Sequence, residues 1–354
     1  MMHNYMSNRL NTAAKKAVVI AALLLCSAGQ AFAASTLPDT PPPAWDKGAM
    51  AFSLIGEYFT SKANFGDSRS SYYSLPNGGS FDTLLTRLTG RYAISKEFSI
   101  FTGVEAAQSQ ATEFSVTSTN SNIDEVYVGV DYQLPFRWLR VIPEIEGSMP
   151  TNPTDPNQTT PLTSDGVTYG RFGVFLFKRY ETFRVESYLG SYIPSNGLAK
   201  RFVYSLIAEI SMFHRVTLGG GVQGYETIYS DDQYEYQRLA TQALADYGSS
   251  RYYAYNPALM EGKAWIGFRL AHAFTIRLGY ESSIQGIRTA QGQTYLASVT
   301  FNTPGDINAS EHRLQPTASP GAESMQIDNE KVDPEVFPTS HDSLDQTERM
   351  LENK

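Results

Sequence analysis

Charged residues recur in this chain at even spacing inside short, otherwise apolar stretches: Arg87 with Arg91, Glu144 with Glu146, Arg184 with Glu186, and Arg277 with Glu281. Even spacing puts side chains on one face of an extended strand, so each pair shares a face and the apolar residues between them take the other. Glu105, Asp131, Arg140, Glu209 and Arg269 fit the same parity in their own segments. With Glu57, Arg201, Arg215, Lys263 and Glu261 added, the polar faces hold nine basic and nine acidic residues. A lone charge taken out of water is costly, so such faces must border water or pair with one another. Two arrangements meet that demand, and the residue pattern leaves both open. One is a narrow wet passage whose selectivity is weak because neither sign dominates. The other is a set of salt-bridge networks bracing a filled interior.

Other chemistries lack their residues. A hydrolase needs a base within hydrogen-bond reach of its nucleophile. Of the five histidines, His3 is near the start, His214 and His272 fall in expected turns, and His312 and His341 lie beyond the last strand-like segment. No enzyme activity is expected. Glu226, Asp231, Asp232 and Glu235 offer the oxygen ligands that calcium takes, but a solvated acidic loop accounts for them equally, and no metal or cofactor is assigned. The triplet Asn157-Gln158-Thr159 matches a glycosylation pattern too common to use.

The segments that carry the charges read as strands. Val126, Val128, Val130, Tyr132 and Leu134 alternate with Tyr127, Gly129, Asp131 and Gln133, a period of two. About twelve such segments follow one another between residues 49 and 301. Their expected connections are long at 61–81, 111–123, 148–166 and 230–257, and medium at 193–200. They are tight at 95–97, 135–137, 181–182, 214 and 271–274, and the last, 288–290, is compact. In the segment 167–180, Phe172, Val174 and Leu176 compete with Phe175 and Phe177, and its faces stay unassigned. Within 230–257, Leu239, Ala243, Leu244 and Tyr247 recur at helical spacing, which predicts one or two helical turns, either packing that face on neighbours or constricting the lumen.

The flanks differ. Arg9, Lys15 and Lys16 precede an apolar run over 17–25, and Ala31-Phe32-Ala33 follows, the three-part layout of a secretory signal. The run is about half of the ~20 residues that a membrane helix needs. Cleavage after Ala33 removes Cys26, the only cysteine, so no disulfide is expected. Residues 34–48 hold Pro38, Pro41, Pro42 and Pro43, a stiff lead-in outside any ladder. Residues 302–354 carry eleven acids against four bases with five prolines, a composition that stays disordered. The remainder is nearly balanced in charge, which argues against nucleic acid as a partner.

The alternation of long and tight connections over residues 49–301, behind an export signal, resembles the bacterial outer-membrane β-barrels, porin-like in plan; no subfamily is identified. Mean hydropathy is negative, yet in such barrels only every second residue meets lipid. Tyr295, Ala297, Val299 and Phe301 resemble the insertion signal at the end of those barrels, although here fifty-three residues follow Phe301. The resemblance implies an all-β, closed, up-and-down antiparallel transmembrane β-barrel of about twelve strands. It would sit among the lipids of a Gram-negative outer membrane, inserted by the barrel-assembly machinery, with lead-in and tail in the periplasm. The thirteen residues first named above would line its lumen, and a small hydrophilic solute would pass by diffusion. The alternative is a structural or surface-recognition barrel working through its long loops.

Overall fold

The computed structural model describes residues 46–303, apart from 135, 137, 156, 157, 181, 213, 214, 233, 234 and 272. The expected signal, nearly all of the lead-in, the acidic tail, the five histidines and Asn157 lie outside the described residues.

The alternating segments become paired strands. They are β1 (Met50–Phe65), β2 (Tyr72–Ser74), β3 (Ser80–Ala93), β4 (Phe98–Glu113), β5 (Val116–Tyr132), β6 (Arg140–Pro150) and β7 (Tyr169–Arg179). There follow β8 (Phe183–Pro194), β9 (Lys200–Met212), β10 (Val216–Tyr229), β11 (Ala258–Ala271), β12 (Phe274–Ile287) and β13 (Ala290–Thr303). The short β2 adds three rungs to the far end of β1, pairing with Ala63, Asn64 and Phe65. The other twelve each run antiparallel to their sequence neighbour, and β13 returns to β1 from Met50↔Thr303 to Asn64↔Ala290. The result is a closed twelve-stranded barrel. Closure leaves the twelve long strands without a free edge, the condition for strands to lie in hydrocarbon with no unpaired backbone N–H or C=O.

The side chains obey the pleat. Val128 is 62 % and Leu206 54 % exposed on the outer surface, while Asp131 is 1 % and Glu209 7 % exposed on the inner one. Met50, Phe52, Leu88, Ile145, Phe172, Leu278 and Ile284 continue the outer apolar belt. Within β7 the ambiguity resolves: Phe172 faces out, whereas Arg171, Phe175 and Phe177 are buried inside. The inner rings gather with Ile142, Tyr188, Tyr192, Val203 and Tyr225 into an apolar wall on one side of the lumen. Glycines give inner rings, both in this cluster and at Phe101, room close to the barrel wall. A Cβ on Gly129 would stand 2.2 Å from the Phe101 ring, and one on Gly173 2.4 Å from the Tyr188 hydroxyl.

Two expectations need correction. The polar stretch 111–123 is not a loop, since β4 continues to Glu113 and β5 resumes at Val116, with positive φ at Phe114 and Ser115 as a two-residue hairpin requires. Its alternation was hidden because both faces are polar there. The helix in the longest loop exists, α1 (Glu235–Ala245), but with its apolar face outward. Arg238, Thr241, Gln242 and Ala245 are buried, while Tyr236, Leu239 and Leu244 are exposed. The buried face of the helix carries donors instead, Arg238 and Gln242, which reach the backbone carbonyls of Tyr252, Tyr253 and Ala254 in the returning limb of the same loop.

Because Leu206 points at lipid near the middle of β9, Leu206→Arg should cost about 2–4 kcal/mol of barrel stability. Tyr236→Arg, on a loop helix, should stay within about 0.5 kcal/mol. Urea unfolding in lipid vesicles measures both, and equal effects would contradict the assignment of faces.

Candidate functional site

The barrel interior collects the charged faces into ion pairs. Arg87 meets Glu105 at 2.5 Å, and Arg171 meets Glu146 at 2.6 Å. Arg91 bonds Asp131, which also accepts from the Ser99 hydroxyl at 2.8 Å, and lies 3.7 Å from Glu144. Arg184 stands 3.6 Å from Glu186 and 3.3 Å from Glu209, and Arg277 approaches the same Glu209 at 3.1 Å. The Arg140 Nε donates to Gln133 Oε1 at 2.5 Å. Glu281 accepts from the Gln223 amide at 2.9 Å. Twelve of the thirteen candidate residues thus sit in this interior network. Arg269 does not: it keeps the inward parity but is exposed at the tight-turn end, beside the β11–β12 turn.

Two cavities succeed one another along the interior. The larger, about 200 Å³, runs from Ala51 and Thr300 at the tight-turn end past Arg91, Arg184, Trp265 and Arg277. The smaller, about 90 Å³, continues past Glu105, Glu125, Arg171 and Gln223 up to Asp165 and Tyr252 in the long loops. Glu57, Arg87 and Glu281 line both and mark their junction.

Several residues escaped the sequence reading. Arg171 lay in the strand left unassigned, although a charge amid apolar residues is itself a sign of the inner face. Asp124 and Glu125 are consecutive, yet both line the smaller cavity. A β-bulge explains this: the ladder steps from Glu105↔Glu125 to Ala106↔Ile123, leaving Asp124 extra. Nothing in the sequence marks that position beyond the change of parity.

The long-loop end is roofed. Phe59, Leu75, Phe81, Leu162, Val167, Leu198, Ala245, Tyr252 and Tyr253, from strands and loops alike, form one buried cluster there. Polar ties fix it to the barrel. Asn64, turned inward by a bulge between Ser61 and Ala63, donates to the Gly248 carbonyl at 2.6 Å and accepts from Ser250 N–H at 2.9 Å. Asp165 accepts from Tyr253 N–H at 2.6 Å and pairs with Arg201 at 3.3 Å. Asp246 is fully buried and accepts from Leu162 N–H at 2.7 Å, its other oxygen having no partner among the described residues. Burial holds its carboxyl well above the usual carboxylate range, since the charged form would be stripped of water. Inside the loop, Arg238 lies 3.1 Å from Asp231, and burial opposes charge on both, raising the acid and lowering the base.

The acids once considered for calcium do not converge. Glu226 is engaged by Arg69 through two bonds of 2.8 and 2.9 Å, and Asp231 by Arg238. Among the described residues no group of three acids, histidines or cysteines is placed to hold a metal.

No protein-family model and no curated protein matches the chain. Solved structures do. The COG4313 outer membrane channel from Pseudomonas putida F1 superposes with a TM-score of 0.57 at 9 % identity, over 75 % of this chain and all of that one. The KdgM porin in complex with disordered oligogalacturonate gives 0.42 at 7 % identity, over 71 % and 98 % of the two chains. The NanC porin gives 0.42 at 13 %, over 71 % and 98 %. The first likeness establishes a shared fold: this chain has the architecture of an outer-membrane β-barrel.

Two measurements probe the interior and its roof. Arg171→Met strands Glu146 in the wall and should lower stability by about 3–5 kcal/mol, most of which Glu146→Gln in the same chain restores; the readout is the urea midpoint. For Asp246 the sign follows from its raised value. Its contribution to the roof is complete below the unfolded carboxyl value of about 3.9 and is lost as pH rises through the folded one. Limited proteolysis of loop 230–257 should therefore quicken with pH in the wild type relative to Asp246→Asn, and a ratio that stays flat contradicts it.

Proposed function

We propose that this protein is an outer-membrane channel for passive diffusion of small hydrophilic solutes, exported by its N-terminal signal, with the Pro-rich lead-in and acidic tail on the periplasmic side. The observation that carries the reading is the pair of cavities in series, each bordered by charged side chains, reaching from Ala51 and Thr300 to the loop layer at Asp165 and Tyr252. A barrel kept only as a scaffold gains nothing from open volume bordered by charged side chains. Twelve strands enclose more room than the eight-stranded barrels that side chains fill, and less than an open sixteen-stranded porin. The shared fold with an outer membrane channel agrees with this.

In the mechanism, water in the cavities solvates the ion pairs, and a solute moves by exchanging water contacts for contacts with Arg87, Arg91, Arg184, Glu186 and Glu209. Both signs are present, so a polar solute always finds a partner. The roof sets the open area at the long-loop end. No step calls for a catalytic base or a cofactor.

The rival role, recognition at the surface, draws support from the apolar stripe of Tyr236, Leu239 and Leu244 left exposed on α1. One experiment decides between them. The purified barrel in a planar bilayer should give small ohmic steps of constant size, and Asn64→Ala, which unties the roof at Gly248 and Ser250, should enlarge them. A correctly inserted barrel that stays silent in both forms overturns the channel.

A further inference from the structure

The smaller cavity has more carboxylates than cations to match them. Of its basic residues, Arg87 is taken by Glu105, Arg171 by Glu146 and Arg201 by Asp165. Arg251 lies 4.0 Å over the Phe59 ring. Five acids on the same lining have neutral partners or none. Asp124 accepts from the Thr163 hydroxyl at 2.5 Å, and Glu125 from Tyr169 at 2.8 Å and Ser148 at 3.0 Å. Glu261 and Glu281 share the Gln223 amide. Glu57 makes no side-chain hydrogen bond or ion pair with any described residue, though it is only 5 % exposed and borders both cavities.

Glu57 therefore stands at the junction as a buried carboxylate aimed at open space. Its electrostatic neighbours are Glu281, Arg87, Glu105 and Arg251. Around the junction the acids Glu57, Glu105, Glu261 and Glu281 face Arg87, Arg251 and Lys263, and Arg87 is committed to Glu105; the acids keep an excess of one, which a mobile cation relieves. A bare metal ion fits poorly, because the acids do not converge as a ligand set. An ammonium group fits better. Tyr169, Tyr192, Tyr225 and Tyr252 line the same cavity, and aromatic faces attract organic cations.

We infer that the junction of the two cavities is a cation site, where Glu57 and Glu281 hold the ammonium group of a small organic amine. The passage then prefers cations although the lumen as a whole is balanced. For its consequence in transport this rests on the channel reading, but occupancy of the site does not.

Putrescine is the probe, titrated calorimetrically at low ionic strength into the full-length folded barrel in detergent. Wild type should bind it, and Glu57→Gln should weaken binding by about tenfold or more, the loss of one close charge pair. Glu281→Gln should act in the same direction, and added salt should weaken all forms. Glu57→Gln removes a charge that has no hydrogen-bond or ion-pair partner among the described residues, so its heat-resistant folded band on gels should persist. In bilayers under a potassium chloride gradient, the wild-type reversal potential should carry the cation sign and move toward zero in Glu57→Gln. A barrel that conducts but binds no putrescine, or a Glu57→Gln form that binds as well as wild type, overturns the site and leaves the channel standing. A silent barrel with Glu57-dependent binding overturns the channel and keeps the site.

Discussion

A charge inside a closed sheet must find either water or an opposite charge, because the outer face belongs to hydrocarbon and the wall itself is backbone. Much of the interior follows from that demand. Arg87 and Glu105 are direct register partners across β3 and β4, as are Glu146 and Arg171 across β6 and β7, and Arg184 and Glu209 across β8 and β9. Ion pairing and strand register thus coincide. A slip by one residue turns every face over, and a slip by two keeps the faces while breaking each of these pairs. The apolar belt enforces only parity; the ion pairs discriminate between registers of equal parity. Their value lies more in that discrimination than in net stability, which buried pairs often fail to add.

The like-charge step Asp131↔Glu144 shows the same logic from the opposite side. Two acids directly across a ladder repel. Here Arg91 reaches over from β3 to bond the first and approach the second, and Ser99 donates from β4. Three strands are tied by one guanidinium, which its forked donors permit and a lysine would not, and Ser99 adds the fourth through Asp131. Glu209 works in reverse, as one acid holding Arg184 of β8 and Arg277 of β12 across the lumen.

How far the sequence discloses this depends on which solvent each face meets. Where one face lies in lipid and the other in the lumen, as from Val126 to Tyr132, alternation is strong and the strand, its faces and its inward acids can all be read directly. Where a strand rises above the membrane, as in the polar run from Val116 to Ile123, both faces meet water and the pattern fades, though the pairing continues. In β7 the inner face is as apolar as the outer one, because Phe175 and Phe177 complete an aromatic wall, and only Arg171 betrays the orientation. Bulges escape altogether. The parity change at Asp124 and Glu125, and that near Asn64, rest on one extra residue each. Helix α1 misleads for a related reason: its apolar residues repeat at helical spacing, yet what its buried face must satisfy is the row of carbonyls in the returning limb of its own loop. Arg238 accordingly turns inward to the Tyr253 and Ala254 carbonyls, and Gln242 to that of Tyr252.

The bulges and the roof belong to one device. A strict pleat would point either Asp124 or Glu125 out of the wall, and would turn Asn64 away from the loops it ties down. By breaking parity once on β1 and once on β5, the fold places an amide under the roof and a second acid beside the first. Both irregularities lie at the long-loop end, above the lipid belt, where a misdirected polar group costs least. The regular part of the barrel below keeps its charges paired in register, whereas the irregular part leaves several carboxylates with neutral partners. Charge balance is thus a property of the whole lumen and not of each level in it. A solute moving along the interior meets matched pairs near Arg184 and Glu209 and an acid excess near Glu57 and Glu281, so the levels differ in what they hold even though the total does not favour either sign.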